Sequence, residues 1–179
     1  RTTSTKNNFT LRDLFRWGNR YTHADKKLLE DRNYDWNQHL VDEGYLVLSA
    51  KVRNQIEAEI IEETLQKNFA KKIEVKNLFS LHEQTSLVSK GILESLMTYS
   101  GSQKVVWTFQ IRRMAVLVSK SMQFDEPVLL VGPTGCGKTT VCQILAELWN
   151  KNLRILNCHL HTEGADFLGG LRPQREMTE

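Results

Sequence analysis

The sequence contains no apolar run that approaches the roughly 20 residues of a membrane-spanning helix, and nothing in it resembles a signal peptide. Only three of its 179 residues are cysteine. A small, odd number of cysteines without a secretory signal favours reduced thiols, as in the cytosol or the nucleus. We therefore expect neither a transmembrane protein nor a disulfide-stabilised secreted one.

The chain also lacks a large excess of charge of either sign. It has 24 basic and 21 acidic residues, which gives a net charge of +3. The basic residues are scattered and mostly stand beside acidic ones, a pattern typical of a solvated surface, whereas a nucleic-acid interface concentrates them. We expect no membrane partner and no direct sequence-specific contact with nucleic acid.

What the sequence does have is a glycine-rich segment between two apolar patterns, residues 127–140 (PVLLVGPTGCGKTT). Gly132, Gly137, Lys138 and Thr139 fit the pattern Gly-x-x-x-x-Gly-Lys-[Ser/Thr] of the phosphate-binding loop. The apolar run 128–131 predicts a strand before the loop. A helix after it is predicted by the spacing of Val141, Ile144, Leu145 and Leu148.

The glycines of such a loop let successive backbone N–H groups turn inward, and the following helix adds the partial positive charge of its N-terminus. Lys138 can then reach the β- and γ-phosphates, and the Thr139 hydroxyl can ligate Mg²⁺. We predict ATP and Mg²⁺ as ligands, with Thr139 on the metal. The predicted nucleotide site comprises Gly132, Pro133, Thr134, Gly135, Cys136, Gly137, Lys138, Thr139 and Thr140. The alternative is a glycine-rich turn that merely joins a strand to a helix.

The remaining patterns are mostly helical. Thr10 and Asp13 predict a helix start, with Leu11, Leu14 and Phe15 on one face. Residues 40–69 are mainly helical in pattern, with Gly44 as a local break, and further helices are predicted over 87–97 and 107–124. Short strands are predicted over 72–75 and 153–157, and a linker over 99–103. The predicted fold class is therefore α/β, a P-loop unit preceded by a small helical unit.

Four runs of the sequence resemble the AAA+ ATPases, and among them the dynein-related giant ATPases of ribosome assembly: FTLRDLFRW, WTFQIRRMAVLVSKSM, EPVLLVGPTGCGKTTVCQILA and NCHLHTEGADFLGGLRP. The resemblance implies six AAA+ modules in a pseudo-hexameric ring, each with an α/β large subdomain and a helical lid. It implies that residues 1–76 are the lid of one module, 77–104 a connecting segment, and 105–179 the N-terminal part of the next large subdomain.

The same resemblance implies a function and a set of partners. The function is ATP-dependent remodelling of large-subunit pre-ribosomal particles in the nucleus, both nucleolus and nucleoplasm. The partners are neighbouring AAA+ modules, pre-ribosomal particles and assembly factors. Arg12 stands where related lids carry the sensor-2 arginine, which reaches the γ-phosphate of the preceding module's nucleotide. The alternative for Arg12 is a solvated helix arginine, since Arg16 and Arg20 are equally available.

No hydrophobic run ending in Asp-Glu follows the loop, although ATPases of this class use such an acidic pair to hold the metal and polarise water. We therefore name no catalytic residue, and expect these 179 residues alone not to hydrolyse ATP appreciably. A start at Arg1 and a single complete βα unit predict an excised piece. Two rival interpretations remain: a nucleotide-binding structural module without turnover, and a module of another AAA+ protein such as a dynein motor.

Two groups of reactive side chains leave alternatives open. Cys158, His159 and His161 could hold zinc with a fourth ligand, but paired Cys-x-x-Cys spacing is lacking and a packed, hydrogen-bonded loop is favoured. Cys136 stands near Lys138 and a helix N-terminus. This position predicts either alkylation that nucleotide suppresses or an inert loop thiol.

Overall fold

The computed structural model describes residues 9–24, 32–52, 54–99 and 105–169. These ranges contain eight helices and no strand. The helices are α1 (Leu11–Thr22), α2 (Trp36–Ser49), α3 (Gln55–Phe69), α4 (Val75–Phe79), α5 (Leu87–Thr98), α6 (Phe109–Gln123), α7 (Lys138–Leu148) and α8 (Gly164–Leu168). Among these helices, none combines the length and the apolar character needed to cross a bilayer.

Polar side chains fix where the helices begin. At α1 the backbone N–H of Thr10 donates to Asp13 Oδ2 over 2.9 Å, as the predicted helix start requires. Side-chain oxygens of residues just before α2, α3, α5 and α6 likewise accept from amides of the first turn. The prediction of a helix over 107–124 is confirmed by α6, which begins after Thr108.

Several helices end in a residue with left-handed backbone conformation. Asp125 after α6 has φ 51°, and Asn150 after α7 has φ 50°. In each case the next amide bonds back across the end of the helix, from Glu126 to Ser121 O over 2.8 Å and from Lys151 to Ala146 O over 2.7 Å. This is the hydrogen bond of a Schellman motif, which satisfies carbonyls left over at the helix terminus.

One hydrophobic core unites helices from both halves of the described chain. The core is formed by α2 to α7, and α2 contributes buried residues on nearly all sides. Its fully buried members include Val41, Leu46, Ile73, Leu78, Phe79, Leu93, Leu96, Val116 and Leu145. Backbone contacts reinforce the packing, since Arg113 Nη2 donates to Ser49 O over 2.8 Å and Arg112 Nε to Phe79 O over 2.8 Å.

Helix α1 docks with its polar face inward. Leu11, Leu14 and Phe15 do share one face, but they point to solvent, and Leu11 and Phe15 are 72% and 74% exposed. The buried face instead carries Asp13, whose carboxylate Oδ1 lies 2.6 Å from Lys51 Nζ, and Arg20. The sequence spacing of the apolar residues was therefore correct, and the side of the helix that packs is the other one.

Gly44 was wrongly predicted to break a helix. It lies in the interior of α2, which continues without interruption to Ser49. Its role is to allow a close approach, because a Cβ atom at this position would lie 2.5 Å from two carbon atoms of the Trp17 ring. The Trp17 indole crosses α2 at this point and donates from Nε1 to Leu40 O over 2.7 Å.

The strands predicted over 72–75, 128–131 and 153–157 are not formed in the described residues. A strand exists only through ladder hydrogen bonds to a neighbour, and the two later segments do not pair with each other. Most of their apolar side chains are exposed, Leu129 to 87%. Uniformly apolar runs are typical of strands that are buried on both faces by neighbours and helices. The α/β part of the fold prediction is thus not confirmed, and Ile73 joins the helical core.

The predicted linker over 99–103 lies, apart from Tyr99, outside the described residues.

Candidate nucleotide-binding site

The phosphate-binding loop lies between the extended segment 127–131 and the start of α7. Gly135 and Gly137 have φ of 78° and 84°, a backbone conformation that side-chain-bearing residues adopt at a cost. Gly137 is also the N-cap of α7, so the helix begins at Lys138. Gly137, a fixed glycine of the motif, and Gly135, at one of its variable positions, therefore stand where the turn into the helix has positive φ.

Lys138 folds back over its own loop. Its Nζ atom lies 3.0 Å from Gly132 O, 2.6 Å from Pro133 O and 3.5 Å from Cys136 Sγ. The ammonium group is thus held on the inner side of the turn by oxygen atoms of the loop. A cation held there by neutral carbonyl groups suits an anionic ligand, because phosphate oxygens are stronger acceptors for the same hydrogens.

Close packing within the loop would crowd a side chain at its first glycine against Cys136. A Cβ atom at Gly132 would lie 3.2 Å from Cys136 Sγ, tighter than ordinary van der Waals contact. The other end of the loop rests on α6, since a Cβ atom at Gly137 would meet Ile111 at 3.7 Å and Met114 at 3.9 Å. The loop therefore packs on α6 at Gly137, and its residues 132–136 are exposed to solvent.

Helix α7 anchors the loop in the core. Val141, Ile144 and Leu145 are buried, whereas Thr139 and Thr140 of the first turn are exposed. The first backbone amides of a helix lack intrahelical partners and carry partial positive charge. The hydroxyl groups of the first turn and these amides thus lie at the same open end.

The structure brings together the predicted loop residues and leaves Arg12 apart from them. Within the loop, Gly132, Pro133, Thr134, Gly135, Cys136, Thr139 and Thr140 are exposed, and Gly137 and Lys138 are half-buried. Arg12 is exposed in the first turn of α1 and is not among the residues that meet at the loop.

A buried charged cluster at the start of segment 127–131 was missed by sequence reasoning. It comprises Arg20 of α1, Glu43 of α2, Lys120 of α6 and Glu126, the residue before Pro127. Arg20 binds Glu126 with Nη2–Oε2 at 2.6 Å, and Lys120 binds Glu43. The sequence signal was present, because Asp13, Trp17 and Arg20 have helical spacing and mark the packed face of α1.

A cavity of about 200 Å³ lies beside this cluster and is lined by Arg20, His39, Glu43, Lys120 and Phe124. Arg20 Nη1, His39 Nε2 and Glu43 Oε2 are buried without a hydrogen-bond partner. Burial lowers the pKa of His39, and Lys120 lowers it further, while Glu43 acts in the opposite direction. We therefore describe His39 as a neutral imidazole whose Nδ1 pairs with the Tyr34 hydroxyl over 2.6 Å.

The segment with Cys158, His159 and His161 is an exposed, internally bonded loop. The backbone N–H of His159 donates to Thr162 Oγ1 over 2.7 Å, and that of His161 to His159 Nδ1 over 3.2 Å. Among the described residues, no three Cys, His, Asp or Glu side chains are arranged to hold a metal ion.

Comparison with known proteins gives a family match at each end of the chain. The family described as Midasin AAA lid domain matches residues 1–72, and the AAA domain of the dynein-related subfamily matches residues 127–179. A search of solved structures gave no match.

Individual proteins that are similar in sequence include two midasins. Midasin of Dictyostelium discoideum is 38% identical over 172 residues, which cover 93% of this chain and 3% of the relative. Midasin of Giardia intestinalis is 44% identical over 73 residues, 41% of this chain and 2% of the relative. The denitrification regulatory protein NirQ of Stutzerimonas stutzeri is 42% identical over 53 residues, 30% of this chain and 19% of the relative.

The chain thus spans only 2–3% of the length of the midasins that it matches. The alignment with the first of them nevertheless runs through nearly the whole chain, including both matched domains. The chain belongs to the midasin family of AAA+ proteins.

Proposed function

We propose that residues 132–140 bind ATP with Mg²⁺ as one nucleotide site of an AAA+ mechanoenzyme. In this proposal the whole protein is an ATPase of the nucleus, in the nucleolus and nucleoplasm, and remodels pre-ribosomal particles of the large subunit. Neighbouring AAA+ modules of a pseudo-hexameric ring, pre-ribosomal particles and assembly factors are its partners. The name of the midasin relatives and the loop geometry support the proposal.

The observation that carries it is the position of the Lys138 ammonium group, 2.6 Å from Pro133 O on the inner side of a turn whose glycines have positive φ. In the proposed complex, the amides of the loop and of the first turn of α7 hold the phosphates, and Lys138 transfers its hydrogen bonds to them. The Thr139 hydroxyl ligates Mg²⁺, which neutralises phosphate charge.

We also propose the division of the chain that follows from this site. Residues 1–76 form the helical lid of the preceding module, 77–104 connect, and 105–179 begin the next large subdomain. In that arrangement Arg12, exposed on α1, is free to point toward the preceding module's nucleotide, so that its guanidinium reaches the γ-phosphate. The exposed apolar side chains of α1 would then be covered by that module.

The test uses Cys136 as a reporter of this one site in the full-length protein. Cys136 is exposed within the loop, so bound nucleotide should slow its alkylation by iodoacetamide. Peptide mass spectrometry then gives the concentration of ATP and Mg²⁺ that halves the alkylation rate. Lys138→Ala should weaken ATP binding by about 1.5 to 3 kcal/mol, which raises this half-protection concentration about 10- to 150-fold.

Lys151→Ala is the matched control, because Lys151 is an exposed lysine just beyond the other end of α7. It should leave the half-protection concentration unchanged. Equal protection in Lys138→Ala and in the unmodified protein would contradict the assignment of the site.

A further inference from the structure

The turn that leads from α6 into segment 127–131, which precedes the phosphate loop, is held by a side chain from α1. Arg20 binds the Glu126 carboxylate twice, with Nη2–Oε2 at 2.6 Å and Nε–Oε1 at 3.2 Å. Its Nη2 atom also lies 3.3 Å from Ser121 Oγ, and its guanidinium carbon lies 5.7 Å from the centre of the Phe124 ring. One side chain thus contacts three positions of a single turn, Ser121, Phe124 and Glu126.

This contact is shielded from solvent and directional. The Arg20 side chain is 4% exposed and the Glu126 side chain 10%. Two parallel hydrogen bonds between a planar guanidinium and a planar carboxylate fix orientation as well as distance, and burial protects them from screening by salt. Arg20 therefore restrains the direction in which the chain leaves Glu126.

Nearby charges do not offer the same restraint. Arg16 Nε lies 3.7 Å from Glu126 Oε2, beyond the usual length of a hydrogen bond. Glu43 Oε2 lies 4.0 Å from Arg20 Nη1, while Glu43 Oε1 is bound by Lys120. The short bonds to the Glu126 carboxylate come from Arg20.

The two ends of the loop have separate anchors. At the far end, α7 packs in the core and Gly137 lies against α6. At the near end, segment 127–131 forms no strand ladder in the described chain, and Asp125 before it has φ 51°. The anchors there are the backbone bond from Glu126 to Ser121, the Arg20 fork on the Glu126 side chain, and Leu130, which packs against the core two residues before Gly132.

We propose that Arg20 is a positioning residue for the phosphate loop. Through its fork on Glu126 it fixes how the chain enters the loop, and hence where the loop amides and Lys138 stand to meet phosphate. Arg20 acts through Glu126 and does not touch the nucleotide. This inference rests on the proposed function, since it concerns nucleotide binding at residues 132–140.

The experiment measures Cys136 half-protection by ATP and Mg²⁺ in the full-length protein carrying Arg20→Gln, Glu126→Gln or both changes. Each single change should raise the half-protection concentration about tenfold, equivalent to about 1.4 kcal/mol. The double change should raise it no further, because both substitutions remove the same contact. Arg20→Lys should have a half-protection concentration close to that of Arg20→Gln, since an ammonium group cannot form the two-bond fork.

Lys51→Gln is the matched control, because it breaks another ion pair of α1, between Lys51 and Asp13. It should change the half-protection concentration by less than about twofold, since its pair lies away from the turn. Hydrogen exchange supplies a second reading: in Glu126→Gln the amide of residue 126, which is bonded to Ser121 O, should exchange faster while those of 41–47 in α2 do not. A general loss of stability would accelerate both groups.

Half-protection in Arg20→Gln and Glu126→Gln equal to that in Lys51→Gln would overturn the inference. If Arg20→Gln does not fold, Glu126→Gln decides the matter by the same comparison, because its side chain lies at the edge of the cluster. Failure of the proposed function looks different. In that case ATP does not slow Cys136 alkylation even in the unmodified protein.

Discussion

At the scale of single residues, the glycines of this chain show what a sequence can and cannot reveal. Gly137 was predictable, because it is a fixed position of the phosphate-binding pattern, and it has positive φ. Gly44 was not, because its reason is the ring of Trp17, which arrives from another helix. A local sequence pattern can indicate that a backbone conformation requires glycine. It cannot indicate a contact with a side chain from another helix.

Gly44→Ala should destabilise the protein by about 1 to 3 kcal/mol, because overpacking forces neighbouring groups to move. The new Cβ would lie 2.5 Å from the Trp17 ring. That ring cannot shift freely, since Nε1 bonds Leu40 O and the ring packs edge-on against Phe69 at 5.7 Å. Urea unfolding monitored by tryptophan fluorescence gives the free energy of unfolding.

Gly91→Ala makes the same chemical change in the interior of α5, where nothing lies within 4 Å of the added atom. It should stabilise the protein by about 0.5 to 1 kcal/mol, since alanine loses less backbone entropy in a helix. Similar effects of the two substitutions would show that the contact with Trp17 is not what requires glycine at position 44.

The contact between Arg20 and Glu126 is a second example of an interaction that a local sequence pattern does not reveal. The two residues are 106 positions apart, and neither belongs to a motif. The phosphate loop itself could be predicted from 14 consecutive residues, 127–140, because the motif, the preceding apolar run and the following helix are contiguous. Side chains that support such a loop from elsewhere in the chain have no contiguous signal.

At the scale of elements, helices were predictable and strands were not. A helix satisfies its hydrogen bonds within itself, so capping residues and spacing locate it, as at Thr10 and at Thr108. A strand depends on a neighbour, and the apolar run 128–131 gives no information on where that neighbour is. The orientation of α1 was also hidden, because the ion pair of the buried Asp13 carboxylate with Lys51 and a tryptophan decide which of its faces docks.

The end of α3 offers a prediction for an element. Ala70, the exposed C-cap residue, has φ 50° and ψ 35°, a left-handed conformation that an L-residue with a Cβ adopts at a cost of about 1 to 2 kcal/mol. Ala70→Gly removes that cost but adds freedom to the unfolded chain. The net gain in unfolding free energy should be about 0.5 to 1 kcal/mol.

Ala58→Gly, in the interior of the same helix, is the paired variant. There the same substitution should reduce stability by about 1 kcal/mol, because glycine is a poor helix former. Thermal unfolding followed by circular dichroism compares the two. A loss of stability in Ala70→Gly as large as that in Ala58→Gly would contradict the assigned backbone conformation.

At the scale of the whole molecule, α1, α2 and α6 are joined by buried ion pairs as well as by apolar contacts. Arg20, Glu43, Lys120 and Glu126 contribute two positive and two negative charges, so the cluster is formally neutral. Buried ion pairs specify how elements fit more than they stabilise, since desolvation offsets much of their attraction. His39 is a neighbour of this cluster, and its lowered pKa should make stability depend on pH.

Burial holds the pKa of His39 below 6.5, with a smaller contribution from Lys120 and an opposing one from Glu43. The unfolded chain therefore binds more protons than the folded one as the pH falls below about 6.5. Stability is fully present above that pH and decreases as the pH falls toward the lower folded pKa. The slope cannot exceed about 1.4 kcal/mol per pH unit for one proton.

Urea unfolding between pH 7.5 and pH 5 measures this slope. His39→Gln should flatten it, although the loss of the Tyr34 bond lowers stability at every pH. His161→Gln, in an exposed loop, should leave the slope as it is in the unmodified protein. An unchanged slope in His39→Gln would assign the pH dependence to other groups.

The separation of 106 residues between Arg20 and Glu126 also has a consequence for biosynthesis. At translation rates of about 5 to 20 residues per second, Glu126 is made roughly 5 to 20 s after Arg20. Glu43 of α2 is made much sooner, so it is the first carboxylate of the cluster that a nascent α1 can meet. The final position of α1 is reached only after the α6 turn has left the ribosome, and until then the Arg20 guanidinium lacks its two-bond partner Glu126.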